Sequence, residues 1–194
     1  MTDSRRSALL LMDFQVEIVE MLAGGGSRTA VGRAAAALAS ARAAGMPVIF
    51  VRVAYRSGYA DASGRNKRVA MLRDQGRLVD GTPGAAIVAE LAPQEREPVV
   101  VKRRVSAFSY TDLQTLLSAM EVDTLVLCGL ATSGVVLSTV RQAVDADYQI
   151  EVLSDACADG DAEVHKVLMD KVFASQGTVL TVEAFITALN RRQK

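Results

Sequence analysis

Charged side chains stand at the ends of two apolar segments of the sequence. Asp13 directly follows residues 8–12, and Lys102 is the last residue of 99–102. The carboxyl ends of parallel strands meet at one edge of a sheet, so the two side chains could share a crevice there. Burial would raise the pKa of the carboxyl group, and a nearby ammonium would lower it. The pair could transfer a proton, or it could be a structural ion pair.

A turn of small residues lies between two predicted elements further along the chain. Residues 129–134 read Gly-Leu-Ala-Thr-Ser-Gly. Small residues let the backbone turn sharply and approach a ligand, and the helix predicted to follow begins with free N–H groups. This turn could hold a nucleophile or stabilise a developing anion. It could equally serve only to pack a helix on a sheet.

Strands and helices alternate along the chain and must position these residues. Apolar or β-branched segments predict six strands, at 8–12, 48–53, 99–102, within 123–129, at 150–153 and at 178–182. Helices are predicted at 28–44, 66–75, 85–91, 111–120, 133–147, 162–174 and 183–191. The alternation predicts one α/β domain over residues 1–194, a three-layer α/β/α sandwich around a mostly parallel six-stranded sheet.

Composition and charge exclude several classes of function. The 194 residues include 22 basic and 22 acidic side chains, so no electrostatic nucleic-acid binding is expected. No apolar segment is long enough to cross a bilayer, and 8–12 is too short for a signal peptide. We therefore expect a cytoplasmic protein with reduced thiols and no membrane partner.

Four segments together resemble a known family. They are 8–15, 100–108 with 111–113, 123–132, and 148–158, and they occur in order over nearly the whole chain. They are similar to the isochorismatase-like superfamily, also called cysteine hydrolases. The resemblance implies an Asp–Lys–Cys triad in a Rossmann-like fold, with Asp13 and Lys102 as its first two members. The family cysteine falls three residues after Thr132, where this chain has Val135.

The valine at position 135 changes the expected chemistry. Its side chain has no lone pair and cannot attack a carbonyl carbon. A cysteine-free branch of the family implies that Asp13 protonates a vinyl ether such as isochorismate, after which water completes the cleavage. The resemblance therefore implies a hydrolase that acts on a small vinyl ether or amide through Asp13 and Lys102. The alternative is a catalytically silent member that binds a small molecule or a protein.

Other nucleophiles and metal ligands have weaker support in the sequence. Cys128 and Cys157 are interpreted as apolar fillers, and no histidine base is expected near Ser133 or Thr132. The only histidine, His165, is expected to face solvent or a helix contact, so no metal and no cofactor are expected. The aspartates at 155, 159 and 161 could hold Ca²⁺, but a solvated turn with helix caps is favoured.

Substrate contacts are expected from the loop at 55–67 and from the small-residue turn. Because the family's corresponding loop covers the site, Tyr59, Arg65 and Asn66 are candidates, and an arginine suits a carboxylate. Phe14, Gln15 and Phe108 could line the pocket, with core packing as the alternative for both phenylalanines. The predicted contacts of the turn are Leu130, Ala131, Thr132, Ser133 and Gly134.

The resemblance also carries two expectations beyond the contacts of single side chains. It implies a cis peptide bond, expected between Leu130 and Ala131, in the small-residue turn. It further implies a homo-oligomer, a dimer or tetramer, and the apolar helical surface at 34–44 could form the interface.

Overall fold

A six-stranded parallel sheet forms the centre of the protein, as predicted. The computed structural model describes residues 6–192. The strands are β1 Ser7–Met12, β2 Val48–Val53, β3 Val99–Lys102, β4 Thr124–Leu130, β5 Gln149–Ala158 and β6 Thr178–Leu180. Their order is β3-β2-β1-β4-β5-β6, and all five pairs of neighbouring strands are parallel. The order reverses between β1 and β4, which is where such sheets bind ligands beyond the strand ends.

Helices cover both faces of the sheet and complete the α/β/α sandwich. They are α1 Val16–Met21, α2 Ser27–Ala43, α3 Lys67–Asp74, α4 Leu113–Ala119, α5 Leu137–Val144, α6 Ala162–Val167 and α7 Val182–Arg192. Helices α2 and α7 contact each other on one face. Right-handed crossovers put α4, α5 and α6 on the opposite face. No helix within residues 6–192 is long and apolar enough to cross a membrane.

The apolar face of α2 packs inside the same chain. Ala34, Ala37, Leu38 and Ala41 are all buried, and the helix contacts α7 and β5. This buried part of the helical surface at 34–44 is not available for an interface between chains, whereas Ala36, Ala39 and Ala43 remain exposed.

The predicted helix at 85–91 is wrong. Two short 3-10 turns, Pro83–Ala85 and Ala89–Leu91, flank an extended segment there. Gln15 and Ile87 form an antiparallel bridge, in which Val16 N–H donates to Ala86 O and Val88 N–H donates to Phe14 O. These distant partners occupy backbone groups that a helix would have used internally. The short helix α1, which begins beside this bridge, was missed.

Two predicted helices begin or end in wider turns. The helix predicted at 133–147 begins with a π-helical turn at Thr132–Val136, followed by α5. The one predicted at 162–174 consists of α6, a second π-helical turn at Leu168–Val172 and the start of a 3-10 turn at Phe173–Ser175. Strand β5 extends well beyond the predicted 150–153, because after an irregularity in the ladder Cys157 and Ala158 still pair with Gly129 and Leu130 of β4.

Candidate active site

Asp13 stands at the carboxyl end of β1, where the chain leaves the sheet. Its backbone has a φ of 58°, a left-handed conformation that aspartate adopts more readily than most residues. Its N–H donates to Val51 O at 2.8 Å, which continues the pairing with β2 by one residue. The side chain is buried, with 4% of the residue exposed. The strand end thus delivers a carboxylate to the interior.

Lys102 reaches the same point from the end of β3. Its Nζ atom lies 2.8 Å from Asp13 Oδ2 and donates a hydrogen bond to Arg104 O at 3.1 Å. Lys102 is also buried, with 2% exposed. The ion pair and the carbonyl contact together offset part of the cost of removing the ammonium from water. The two residues therefore form the buried pair whose meeting the sequence suggested.

The second carboxylate oxygen of Asp13 is unpaired. Asp13 Oδ1 is buried and has no hydrogen-bond partner among the described residues. Burial raises the pKa of Asp13, although the positive charges of Lys102 and Arg68 act in the opposite direction. An unpaired, buried carboxylate oxygen with a raised pKa is suited to accept and return a proton.

A cavity of about 60 Å³ opens on this pair. It is lined by Asp13, Ile18, Met21, Val53, Tyr55, Arg68, Val69, Leu72, Leu78, Lys102, Arg104, Val105, Leu130, Ala131, Gly134 and Val135. The cavity brings together Asp13, Lys102 and Val135 with part of the small-residue turn. Among its lining residues, lysine and arginine outnumber carboxylates, so its electrostatic character favours an anionic ligand.

The small-residue turn has the backbone that the resemblance implied. The peptide bond between Leu130 and Ala131 is cis, which confirms that prediction. A side chain at Gly129 would place its Cβ 2.7 Å from Met12 O, so β1 and β4 can approach as they do only with glycine there. The N–H of Gly134 donates to Ala131 O at 3.1 Å and closes the turn.

Three predicted wall residues lie away from the cavity. The Gln15 side chain is buried and bridges backbone groups: it accepts from Val53 N–H and donates to Val53 O and Ala85 O, each at 2.8 Å. Phe14 and Phe108 are buried in the core, and the Phe108 ring packs against Tyr148 with centroids 6.0 Å apart. Gln15 therefore holds the connections around the site, and neither phenylalanine lines it.

The loop at 55–67 contributes different residues from those predicted. Tyr59 donates its hydroxyl to Arg77 O at 2.7 Å and packs on Tyr55, whereas Arg65 is exposed and does not line the cavity. Asn66 caps α3 by accepting from Arg68 N–H and Val69 N–H.

Tyr55, the first residue of the loop predicted to cover the site, does line the cavity, and so do Arg68 and Arg104, which sequence reasoning missed. The cap at Asn66 was a usable signal for one of them, because it puts Arg68 in the first turn of α3.

Thr132 and Ser133 face away from the cavity toward the connection that follows β5. Thr132 Oγ1 lies 2.8 Å from Nδ1 of His165, and Ser133 N–H donates to Asp159 Oδ2 at 2.7 Å. His165 is half-buried, so the expectation that no histidine lies near this turn was wrong.

Both cysteines are buried in the described fold. Burial raises the pKa of Cys128 well above its ordinary value and that of Cys157 to about 12. These thiols remain protonated near neutral pH, which agrees with a role as fillers rather than nucleophiles.

The three aspartates considered as a calcium site are engaged separately. Asp155 accepts from Val182 N–H at 2.8 Å and pairs with Arg33 at 3.5 Å, while Asp161 caps α6. Within residues 6–192, no three histidine, cysteine, aspartate or glutamate side chains are grouped as a metal site would require.

The chain is similar to known proteins over nearly its whole length. A family model described as the isochorismatase domain matches residues 7–184. The Escherichia coli O157:H7 protein described as uncharacterized isochorismatase family protein YecD is 31% identical, over 96% of this chain and 98% of its own. A maleamate amidohydrolase of Pseudomonas putida is 32% identical, over 91% of this chain and 84% of its own.

A solved structure shares the fold described above. The crystal structure of a cysteine hydrolase from Pseudomonas syringae pv. phaseolicola 1448A superposes with a TM-score of 0.88 at 29% identity. The alignment covers 96% of this chain and 93% of that one.

Proposed function

Because the chain belongs to the isochorismatase family, we propose that it hydrolyses a small amide or vinyl ether through Asp13 and Lys102, without a cysteine nucleophile. The observation that carries this proposal is the unpaired, buried Oδ1 of Asp13 at the cavity wall. Val135 lines the same cavity, and its hydrocarbon side chain can neither attack the substrate nor compete for that proton. Water is therefore the nucleophile.

For an amide, Asp13 acts first as a base and then as an acid. Its carboxylate takes a proton from a water molecule as the water oxygen bonds to the carbonyl carbon. The resulting Asp13 carboxylic acid then gives that proton to the nitrogen as the C–N bond breaks, which leaves a carboxylic acid and an amine. A raised pKa serves both steps, because the carboxylate becomes a stronger base and the pKa of the carboxylic acid comes nearer to neutral pH. The Lys102 ammonium offsets the developing negative charge.

With a vinyl ether, Asp13 acts first as an acid and then as a base. Protonated Asp13 gives its proton to the terminal carbon of the double bond, and water adds to the cation that forms. The hemiketal then collapses to a ketone and an alcohol, and the proton released by water returns to Asp13. Burial of Asp13 favours this reading, because it favours the protonated carboxyl group that the first step requires.

The cavity also indicates which substrates of either class would bind. Arg68 and Arg104 line it, and neither forms an ion pair with a carboxylate among the described contacts. A guanidinium group binds a carboxylate with two parallel hydrogen bonds. We therefore propose a substrate that carries a carboxylate, as both maleamate and isochorismate do.

The test measures ammonia release from maleamate and pyruvate release from isochorismate, with wild type, Asp13→Asn and Ser133→Ala. The proposal expects one product from the wild type, loss of turnover in Asp13→Asn, and retention in Ser133→Ala. Loss in Ser133→Ala would instead indicate a serine nucleophile. Binding of either compound without turnover would favour a binding module. Activity should persist after chelation, since no metal is part of the proposed reaction.

We propose a cytoplasmic homo-oligomer, a dimer or tetramer, that acts on a free small molecule and has neither a nucleic acid nor a membrane as partner. Light scattering on the purified protein would measure its mass against the 20.6 kDa of one chain. A monomer at micromolar concentration would contradict the assembly without affecting the chemistry.

A further inference from the structure

Residues that follow β5 bind the small-residue turn outside the catalytic cavity, which is the cavity that Asp13 and Lys102 line. Asp159 and His165 bind consecutive residues of the turn: the first accepts from Ser133 N–H, and the second meets Thr132 Oγ1 through Nδ1. Thr132 is fully buried. These contacts join the first residues of the π-helical turn Thr132–Val136 to a part of the chain about thirty residues away.

His165 reaches solvent on a side separate from the catalytic cavity. It lines a second cavity of about 320 Å³, together with Asp155, Asp159 and residues at the start of α2. The two cavities have no lining residue in common. A proton can therefore reach the imidazole without passing the substrate.

We propose that His165 is a positioning residue that sets the active-site turn through Thr132 and releases it when the imidazole is protonated. In neutral His165 with its hydrogen on Nε2, the Nδ1 atom accepts a hydrogen bond from the hydroxyl group of Thr132. The bond fixes Thr132, and the following residues Gly134 and Val135 line the catalytic cavity. The catalytic consequence rests on the function proposed above, whereas the hydrogen-bond switch does not.

Protonation reverses this hydrogen bond. The imidazolium carries hydrogens on both nitrogens, so Nδ1–H donates to Thr132 Oγ1 and no longer accepts. The Thr132 hydroxyl then needs a new acceptor, which is costly for a buried donor. Movement of Thr132 relieves the conflict, and the turn moves with it.

The charges around His165 set where the switch acts. Burial lowers its pKa, and the carboxylates of Asp159 and Asp170 act in the opposite direction. Asp155 lines the same cavity and is paired with Arg33 of α2. On the histidine's own helix, Lys166 is paired with Asp170. The turn Thr132–Val136 contributes no charged side chain. Because burial has the larger effect, the pKa of His165 lies below its ordinary value of 6.5, and the imidazole is neutral at pH 7.

Nuclear magnetic resonance can test the switch without any substrate, because the chain contains one histidine. In untagged protein, the imidazole signals are followed against pH together with the amides of Ser133 and Gly134. We expect the Nε2–H tautomer at neutral pH, a midpoint below 6.5, and amide shifts with the same midpoint. An Nδ1–H tautomer, or amides that do not follow the imidazole, would overturn the proposal.

Two variants separate the hydrogen bond from the presence of the ring. Asn at position 165 keeps a polar atom on Cγ, where Nδ1 is attached, but does not titrate, so His165→Asn should abolish the amide shifts. Thr132→Val removes the hydroxyl that favours the neutral imidazole and should raise the pKa of His165. Thr132→Ser keeps the hydroxyl and should keep the wild-type midpoint. An unchanged midpoint in Thr132→Val would contradict the proposed bond.

Kinetics then tests the link to catalysis. If a substrate is turned over, kcat/KM of the wild type should decrease at pH values below the imidazole midpoint. This step in the pH profile should be absent from His165→Asn, in which Asp13 still titrates. A step that remains in His165→Asn would show that the switch does not reach the catalytic cavity. If no substrate is turned over, the proposed function fails while the magnetic resonance result still decides the switch.

Discussion

Lys102 Nζ lies 2.8 Å from Asp13 Oδ2 at a point where both side chains are almost fully buried. Two strands that are not neighbours in the sheet, β1 and β3, supply these residues. A buried ion pair is costly to break from one side, because the remaining charge has no partner and little water. The pair therefore contributes to folding as well as to the proposed chemistry.

Removal of the lysine alone should destabilise the fold strongly. Lys102→Met leaves the Asp13 carboxylate unpaired, and we expect the free energy of unfolding in urea at pH 7 to fall by about 3–5 kcal/mol. The matched control is the double variant Asp13→Asn with Lys102→Met, in which no charge remains. It should be more stable than Lys102→Met alone. A double variant that is less stable than the single one would show that the charge is not the cause.

The contribution of Asp13 to stability should decrease with rising pH. Its folded-state pKa is raised above the ordinary value of 3.8, so the folded protein binds this proton more tightly than the unfolded chain does. The resulting stabilisation is complete below pH 3.8 and is lost as pH rises through the folded-state pKa.

Asp13→Asn provides the comparison, because the amide does not titrate. The unfolding free energy of the wild type minus that of the variant should fall as pH rises above 3.8, and should level off once Asp13 is ionised in the folded state. Urea titrations at several pH values measure this difference. A difference that grows with pH would mean that Lys102 lowers the pKa of Asp13 more than burial raises it.

A cysteine at position 135 should be unusually reactive. In Val135→Cys the thiol would line the cavity with Asp13 and Lys102, and the ammonium should lower its pKa below about 8.5, the unperturbed value. The rate of alkylation by iodoacetamide against pH measures this pKa. Cys128 and Cys157 should contribute little background, since both are buried with raised pKa values. Ser133→Cys, on the same turn but outside the cavity, should behave as an ordinary thiol.

Arg68 should affect substrate binding more than the chemical step. For a carboxylate substrate, Arg68→Gln removes a charged hydrogen bond, so KM should rise roughly 10- to 100-fold with little change in kcat. Arg65→Gln is the matched control, because it removes a nearby arginine, just before α3, that does not line the cavity. Equal effects of the two substitutions would indicate general electrostatic attraction rather than a specific contact.

A methyl group at Gly25 should disturb the backbone near Asp159, the residue that binds Ser133 of the small-residue turn. The added Cβ would overlap with Asp159 O, so either the backbone near Asp159 moves or the glycine segment does. We expect Gly25→Ala to lower the unfolding free energy by about 1–3 kcal/mol, the usual cost of overpacking. Gly24→Ala adds the same methyl group where nothing lies within 4 Å and should be nearly neutral. Similar losses in both variants would exclude the contact with Asp159 as the cause.

Much of the fold was predictable because its signals are local. Continuous apolar runs such as residues 8–12 indicate strands buried on both faces, and the alternation with helices indicates a parallel sheet. The predicted helix at 85–91 failed because residues near Gln15 pair with this segment from far away in the sequence. A local sequence pattern does not indicate a pairing partner that is so far away in the chain.

The sequence by itself determined the six strands in chain order, most of the helices between them, the charged residues at two strand ends and the small-residue turn. Burial and strand direction then explain why Asp13, Lys102 and Val135 line one cavity. The tertiary structure alone decided that Arg68 rather than Arg65 lines that cavity, and that His165 binds Thr132 from behind it. Both depend on how a helix is rotated and docked against distant residues, and composition and periodicity do not specify these properties.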